Sequence, residues 1–269
     1  MLNPRLSVDS MCTFSWSFDE ELLLWRSMGL KYAAPIISKI MDDPARKLGA
    51  LKASGIQLST LILGGYDLAD RDSWEATRAM HRAAIDQVAA IAGRSIYFTT
   101  GRTVTLDWDR DVQLLAEAVA PAVAYGKEKG VVVALEPTQR PDASFVTNLG
   151  DAIDVADRTG LKLVADFAVV WLERDLKAKL RRGMRHIELI QIGDFFIGSP
   201  LNPRRSGRAH IGEGELPVKR LVQDVLDAGY TGVFDLEVVG DDFTQPTDEA
   251  ALRRGISAAS TLLDELGIA

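Results

Sequence analysis

Residues 131–166 read VVVALEPTQRPDASFVTNLGDAIDVADRTGLKLVAD. The segment opens on an apolar run, VVVALE (131–136), and passes through a polar loop. It continues in NLGDAIDVADRTG (148–160), with apolar residues at helical spacing and a glycine stop, and closes on a second apolar run, LKLVAD (161–166). A strand that returns through a helix to another strand is a crossover unit, and such units build parallel sheets.

The same rhythm runs along the chain. Further candidate strands are RLSVDSM (5–11), YAAPII (32–37), IQLSTLIL (56–63), SIYFTT (95–100), IELIQI (187–192) and GVFDLEV (232–238), which makes eight in all. Helical patterns lie at WEATRAMHRAAIDQVAAIAG (74–93), DVQLLAEAVAPAVAYGKEKG (111–130) and PVKRLVQDVLDAGY (217–230), and Pro121 predicts a kink in the second. Eight strand–helix units in 269 residues match an α/β protein of the (β/α)₈ TIM barrel type, expected as a single domain over 1–269. The rival, a doubly wound open sheet, calls for a glycine-rich phosphate loop after the first strand. SVDSMCTFSW (7–16) has none.

The totals exclude several classes. A net charge of −7 opposes nucleic-acid binding, which uses a basic face. Cys12 is the single cysteine, so an intramolecular disulfide and a cysteine-based zinc cluster are both excluded. Three histidines are too few for a site built mainly of imidazoles. MLNPRLSVDS lacks the basic and apolar regions of a signal peptide, and no run of about 18 apolar residues predicts a membrane span. The expectation is a cytoplasmic protein acting on a small molecule, without nucleic-acid or membrane partners.

A barrel of this kind places its chemistry at the C-terminal ends of the strands. Four successive strands end there in an oxygen-bearing side chain: Glu136 in ALEP, Asp166 in VADF, Gln191 in LIQIGD and Glu237 in DLEVV. Gln191 is conspicuous because it interrupts an apolar strand on the face shared by Ile187 and Leu189, and a buried amide costs free energy unless it finds partners. Converging carboxylates repel and raise one another's pKa values. A divalent cation relieves that repulsion, and carboxylate and amide oxygens suit Mg²⁺ or Mn²⁺. Taken singly, each acid reads more simply as solvated or arginine-paired. The series points to a shared cation, and on pattern alone both readings stay open.

The stretches ALEPTQRPDASFVTNLGDAIDVADRTG, LVADF, HIELIQIGD, GRAHIGEGELP and GYTGVFDLEVV resemble the xylose-isomerase-like barrel superfamily. That superfamily includes sugar epimerases, hydroxypyruvate isomerases and dehydroshikimate dehydratases. The resemblance covers most of the chain and is strongest from about 131 to 240. It implies one divalent metal held by Glu136, Asp166, Gln191 and Glu237, with Glu136 and Glu237 also moving the proton. It implies a substrate-binding arginine at Arg208, in the loop that runs to Gly214. Homodimers are common in the family, so a second copy of the chain is an expected partner. Glutamine rather than histidine at position 191 resembles the isomerase and dehydratase branches more than the sugar epimerases. Two departures stand against a direct transfer of function. Val169 occupies a position that often carries a substrate-binding histidine. LILGGYD (61–67) puts Gly64, Gly65 and Tyr66 where dehydratases use a histidine base. The DNA-repair endonucleases of the superfamily need several more histidines and are excluded.

Lesser candidates follow from position. Lys39, after the second strand, and Arg102, after the fourth, are placed to meet a substrate oxygen or anion; a solvated lysine and an ion pair with a loop aspartate are the alternatives. His210 lies in the GRAHIGEG loop, as substrate contact or as exposed residue. Trp16, with Phe14, Trp108, Phe167, Trp171, Phe195 and Phe196, is expected near the mouth, a hint of a substrate with a ring or apolar portion. Asp235 should lie one layer below Glu237. His81 is expected on a helix surface, and His186 on the opposite rim. The leading function is a metal-dependent isomerase or epimerase that forms an enediolate next to a carbonyl. A lyase or dehydratase on the same scaffold is the alternative, and a non-catalytic binding barrel is the third.

Overall fold

A computed structural model describes residues 1–198, 207–238 and 247–268. Its strands are β1 (Leu6–Val8), β2 (Tyr32–Ala33), β3 (Gln57–Leu58), β4 (Leu61–Ile62), β5 (Ser95–Phe98), β6 (Val132–Leu135), β7 (Lys162–Asp166), β8 (Ile187–Ile192), β9 (Asp194–Phe196), β10 (Gly207–Ala209) and β11 (Phe234–Leu236). Parallel pairing runs β1–β11–β8–β7–β6–β5–β4, so the first strand of the chain lies beside the last, with Leu6 opposite Phe234 and Val8 opposite Leu236. β2 and β3 pair in parallel. Bridges from Asp9 to Ala34 and from Ile36 to Ile62 tie that ribbon to both edges of the larger sheet. The ring therefore closes as a TIM barrel. β3 and β4 are the two halves of the strand expected at 56–63, so each expected strand is one stave.

The helices are α1 (Phe18–Met28), α2 (Pro44–Ala53), α3 (Trp74–Ala90), α4 (Trp108–Lys129), α5 (Leu149–Thr159), α6 (Phe167–Val170), α7 (Leu176–Gly183), α8 (Val218–Asp227) and α9 (Glu249–Glu265). Local chemistry sets their ends. Asn148 caps α5 by accepting from the Asp151 amide, and Gly160 closes it in the left-handed conformation at φ 77°. The α4 helix starts at Trp108, capped by Asp107, three residues before the sequence pattern began, and it runs on through Pro121. No described helix is long and apolar enough to cross a membrane.

Two apolar layers follow from the two-residue period of the strands. Outward residues such as Val133, Leu135, Leu163, Ile190 and Ile192 pack under the helices. Inward residues Ile62, Tyr97, Ala134, Val164, Leu189 and Val233 fill the barrel. Glu136, Asp166, Gln191 and Glu237 continue this inward parity and cap the filled interior.

Two features differ from the sequence reading. β9 and β10 form an antiparallel hairpin after β8 that pairs Arg208 with Phe195; its segments are too short to carry a strand pattern. His81 is fully buried rather than on the surface. It shares one face of α3 with Ala84, Ile85 and Val88, the i, i+3, i+4, i+7 stripe that packs inward. Its Nε2 meets the Gly64 carbonyl at 2.9 Å, its ring lies against Tyr66 and Phe98, and burial lowers its pKa.

That contact supports the β4 exit loop, where Gly65 is indispensable. A Cβ on Gly65 would strike the Thr99 carbonyl oxygen, whereas one on Gly64 would meet nothing within 4 Å. Gly65→Ala is expected to cost about 1–3 kcal/mol, as overpacking does. Gly64→Ala should stay within about 0.5 kcal/mol. Urea unfolding of the two variants checks the contrast.

Candidate metal centre

Four strand ends deliver the centre. Glu136 follows β6, Asp166 ends β7, Gln191 lies in β8 and Glu237 follows β11. All four are buried. Glu136, Asp166 and Glu237 each offer a carboxylate oxygen, and these oxygens lie within 4.8 Å of one another. The Gln191 amide nitrogen donates to the Glu237 carboxylate and to Tyr97 Oη at 3.1 Å, with Asp9 Oδ2 at 3.4 Å. Its oxygen, Oε1, is buried and has no partner.

Arg208 reaches in from β10. One terminal nitrogen lies 2.5 Å from Asp166 Oδ2 and 3.3 Å from Glu237 Oε1. The other donates to the Glu237 backbone carbonyl at 3.3 Å. Burial opposes the guanidinium charge, but Asp166 and Glu237 outweigh it and raise its pKa. Among the described residues, one cation against three buried acids leaves negative charge uncompensated. Burial, with repulsion from Glu237 and Asp166, therefore pushes the Glu136 pKa well up. Burial likewise raises Glu237 to about 8, against the opposing pull of Arg208.

Beneath them the acidity continues. Asp235 sits beside Gln191 in register, with Ser7 and Asp9 facing its carboxyl. Its neighbour is Asp9, another buried carboxyl. Burial raises both pKa values, with repulsion from Asp235 adding at Asp9 and Asp235 reaching about 7. Two such carboxyls titrate as a pair, so one retains a proton where lone acids would be ionised. The oxygen-only donor set, the orphaned Gln191 Oε1 and the excess of acids over cations together fit a hard divalent ion.

The remaining candidates lie elsewhere. Lys39 is spent on a buried pair, with Nζ 2.5 Å from Glu21 Oε1 and 2.6 Å from the Thr13 carbonyl. Ser10 and Thr13 also donate to that carboxylate. Trp16 lines an outer groove with Leu23, Leu24 and Arg253, between α1 and α9. His210 packs on α9 at Gly255, where a Cβ would strike its ring. His186 meets Asp157 at 2.8 Å, away from the centre as expected. Arg102 is exposed and lines a second cavity of about 320 Å³, with Tyr66 and Asp142. That cavity shares Thr99 and Ala143 with one of about 260 Å³ lined by Glu136, Glu237 and Arg208. None of the seven aromatics expected at the mouth lines the cavity beside the carboxylates.

Sequence reading overlooked Asp9, Tyr97 and Thr138. Asp9 ends the first strand as the ligand residues end theirs, and Tyr97 has inward parity, so both carried a signal. Thr138, which lines the cavity, lies in a loop where no period applies.

Over residues 25–262 the sequence matches the family model of xylose isomerase-like TIM barrels. The chain belongs to that family. Among solved structures it is similar to the IOLI protein with a bound zinc atom, at 14% identity and TM-score 0.79, covering 97% of this chain and 98% of that one. It is similar to D-psicose 3-epimerase with D-tagatose from Clostridium cellulolyticum H10, at 16% identity and TM-score 0.74, covering 97% of each. A third is the probable 3-DHS dehydratase AsbF from Bacillus anthracis, at 14% identity and TM-score 0.74, covering 95% and 98%. At these identities the likeness shows the fold. No curated protein matches the sequence.

Two outcomes follow. A carboxyl whose pKa folding raises contributes most stability below its unfolded value, near 4.3 for glutamate, and loses it as pH rises through the folded value, about 8 for Glu237. The metal-free protein should therefore lose stability between roughly pH 5 and 8, and saturating Mn²⁺ should restore it, read as the midpoint of thermal unfolding at each pH. Lys39→Met should cost on the order of 3–5 kcal/mol by stranding Glu21. Adding Glu21→Leu should recover most of it in urea unfolding.

Proposed function

We propose that this barrel is a divalent-metal-dependent isomerase or epimerase acting on a small hydroxyketone. One observation carries the reading: the buried set of Glu136, Asp166 and Glu237, with Gln191 bonded to Glu237 through its amide nitrogen and its oxygen left without a partner. Glu136, Asp166, Gln191 and Glu237 would hold one ion, Mg²⁺ or Mn²⁺. When bound, such an ion supplies Lewis-acid polarisation of a carbonyl or hydroxyl and stabilises the charge of an enediolate.

The chain's own residues supply the rest. Glu136 and Glu237 stand on strands separated in the ring by β7 and β8 and both line the cavity. That arrangement suits one carboxylate to remove a proton next to the carbonyl and the other to return it on the opposite face. Burial keeps both basic, and a cation beside them opposes that rise. Arg208 lines the same cavity and presents a donor to a substrate oxygen. Gln191, whose amide nitrogen bonds Glu237 and Tyr97, would offer its unpartnered oxygen as a ligand. The epimerase and the zinc-bound IOLI protein of the same fold support this assignment.

The second reading is a lyase, in which the same proton removal is followed by loss of a group rather than reprotonation. The likeness to a probable dehydratase favours it, and Gln191 at the third ligand position suits a dehydratase as well as an isomerase. Product analysis separates the two.

The test is deuterium exchange in D₂O by the Mn²⁺-loaded protein on dihydroxyacetone, hydroxypyruvate, D-fructose and 2-hydroxycyclohexanone, followed by NMR. Exchange next to the carbonyl is expected with at least one compound. Glu136→Gln and Glu237→Gln should each slow it about 10²–10⁴-fold. Full exchange in both variants with metal retained would contradict the assignment, and no exchange by loaded wild type would leave a binding barrel.

A further inference from the structure

The cavity beside the carboxylates has two unlike halves. On the β6 and β11 side stand Glu136, Glu237 and Arg208. On the other side Met11 follows β1, Ile36 follows β2, Ile62 ends β4, Leu63 comes next and Phe98 ends β5, and all five line the cavity. Ile36 and Ile62 are bridge partners across neighbouring staves. Met11 and Ile36 pack on the apolar cluster that fills the barrel, so this wall is the upper surface of the interior layer. From β5 and its exit Tyr97 and Thr99 add hydroxyls to the lining, and the Tyr97 hydroxyl is already engaged by the Gln191 amide nitrogen at 3.1 Å.

A polyol bound at the carboxylates would press hydroxyls on Met11, Ile36 and Ile62, where they would lose water and find no partner in those side chains. A hydrocarbon surface there gains from the same burial. Building on the metal-dependent reading above, we infer that the substrate is a hydroxyketone with a hydrocarbon ring or branch, its oxygens toward Glu136 and Glu237 and its carbon surface against Met11, Ile36 and Ile62. An open-chain sugar does not fit this division. The seven aromatic residues that hinted at such a substrate in the sequence do not line this cavity; Met11, Ile36 and Ile62 give it its apolar side.

Binding of 2-hydroxycyclohexanone and of D-fructose to Mn²⁺-loaded protein, followed by calorimetry, tests the inference. Both are hydroxyketones, and they differ in hydrocarbon against hydroxyl. The cyclic ketone should bind at least tenfold more tightly. Ile36→Asn and Met11→Gln, at half-buried positions, should each shrink that ratio at least threefold while leaving Mn²⁺ affinity unchanged. Equal or tighter binding of D-fructose, or an unchanged ratio in both variants, would overturn the inference. Mn²⁺ binding is read separately by electron paramagnetic resonance. Its failure would refute the metal reading, while the ketone preference measured on the same metal-free sample would still decide this one.

Discussion

The mutual repulsion of acids buried at one end of the barrel is the constraint around which the rest is arranged. Glu136, Asp166 and Glu237 crowd their oxygens together, with Asp9 and Asp235 buried below. Such a cluster is unfavourable unless cations or protons neutralise it. Among the described residues one guanidinium, Arg208, pairs with it, and burial pushes the carboxyls toward their protonated form. The Gln191 oxygen is left without a donor. A fold selected for stability alone would place leucines there, as it does one layer down at Leu189 and Val164. On the proposed reading the cluster serves function, and a divalent ion would satisfy it.

The barrel is what makes the cluster affordable to build. Eight staves aim inward residues at one axis, and a two-residue step along a strand moves a side chain from the apolar filling to the rim. The path Ile187–Leu189–Gln191 shows this on a single strand. The same geometry makes the cavity two-faced: Glu136 and Glu237 line one side, and Met11, Ile36 and Ile62 the other. Oxygen chemistry and hydrocarbon recognition are thus divided between the halves of one ring.

Much of this was legible in the sequence because it depends on local periods. Strand count, strand parity and the four residues at consecutive strand ends are one-dimensional patterns, and the structure brings those four together. Side-chain reach is not such a pattern. Lys39 stands after a strand, as a substrate lysine would, but an acid on α1, Glu21, captures it. His210 follows the motif arginine, yet Gly255 on α9 opens the space into which its ring packs. His81 is a different case. Its helical stripe is readable, and its imidazole packs inward against Tyr66 and Phe98. The β9–β10 hairpin that carries Arg208 was hidden by its brevity.

The central claim is that the strand-end oxygens form a site for one hard divalent ion. Crystals grown with Mn²⁺ and measured for anomalous scattering test it most directly. The account predicts a single strong peak enclosed by Glu136, Asp166, Glu237 and Gln191, with the glutamine oxygen turned toward it. No peak at that position, with Arg208 still paired to both Asp166 and Glu237, would contradict it.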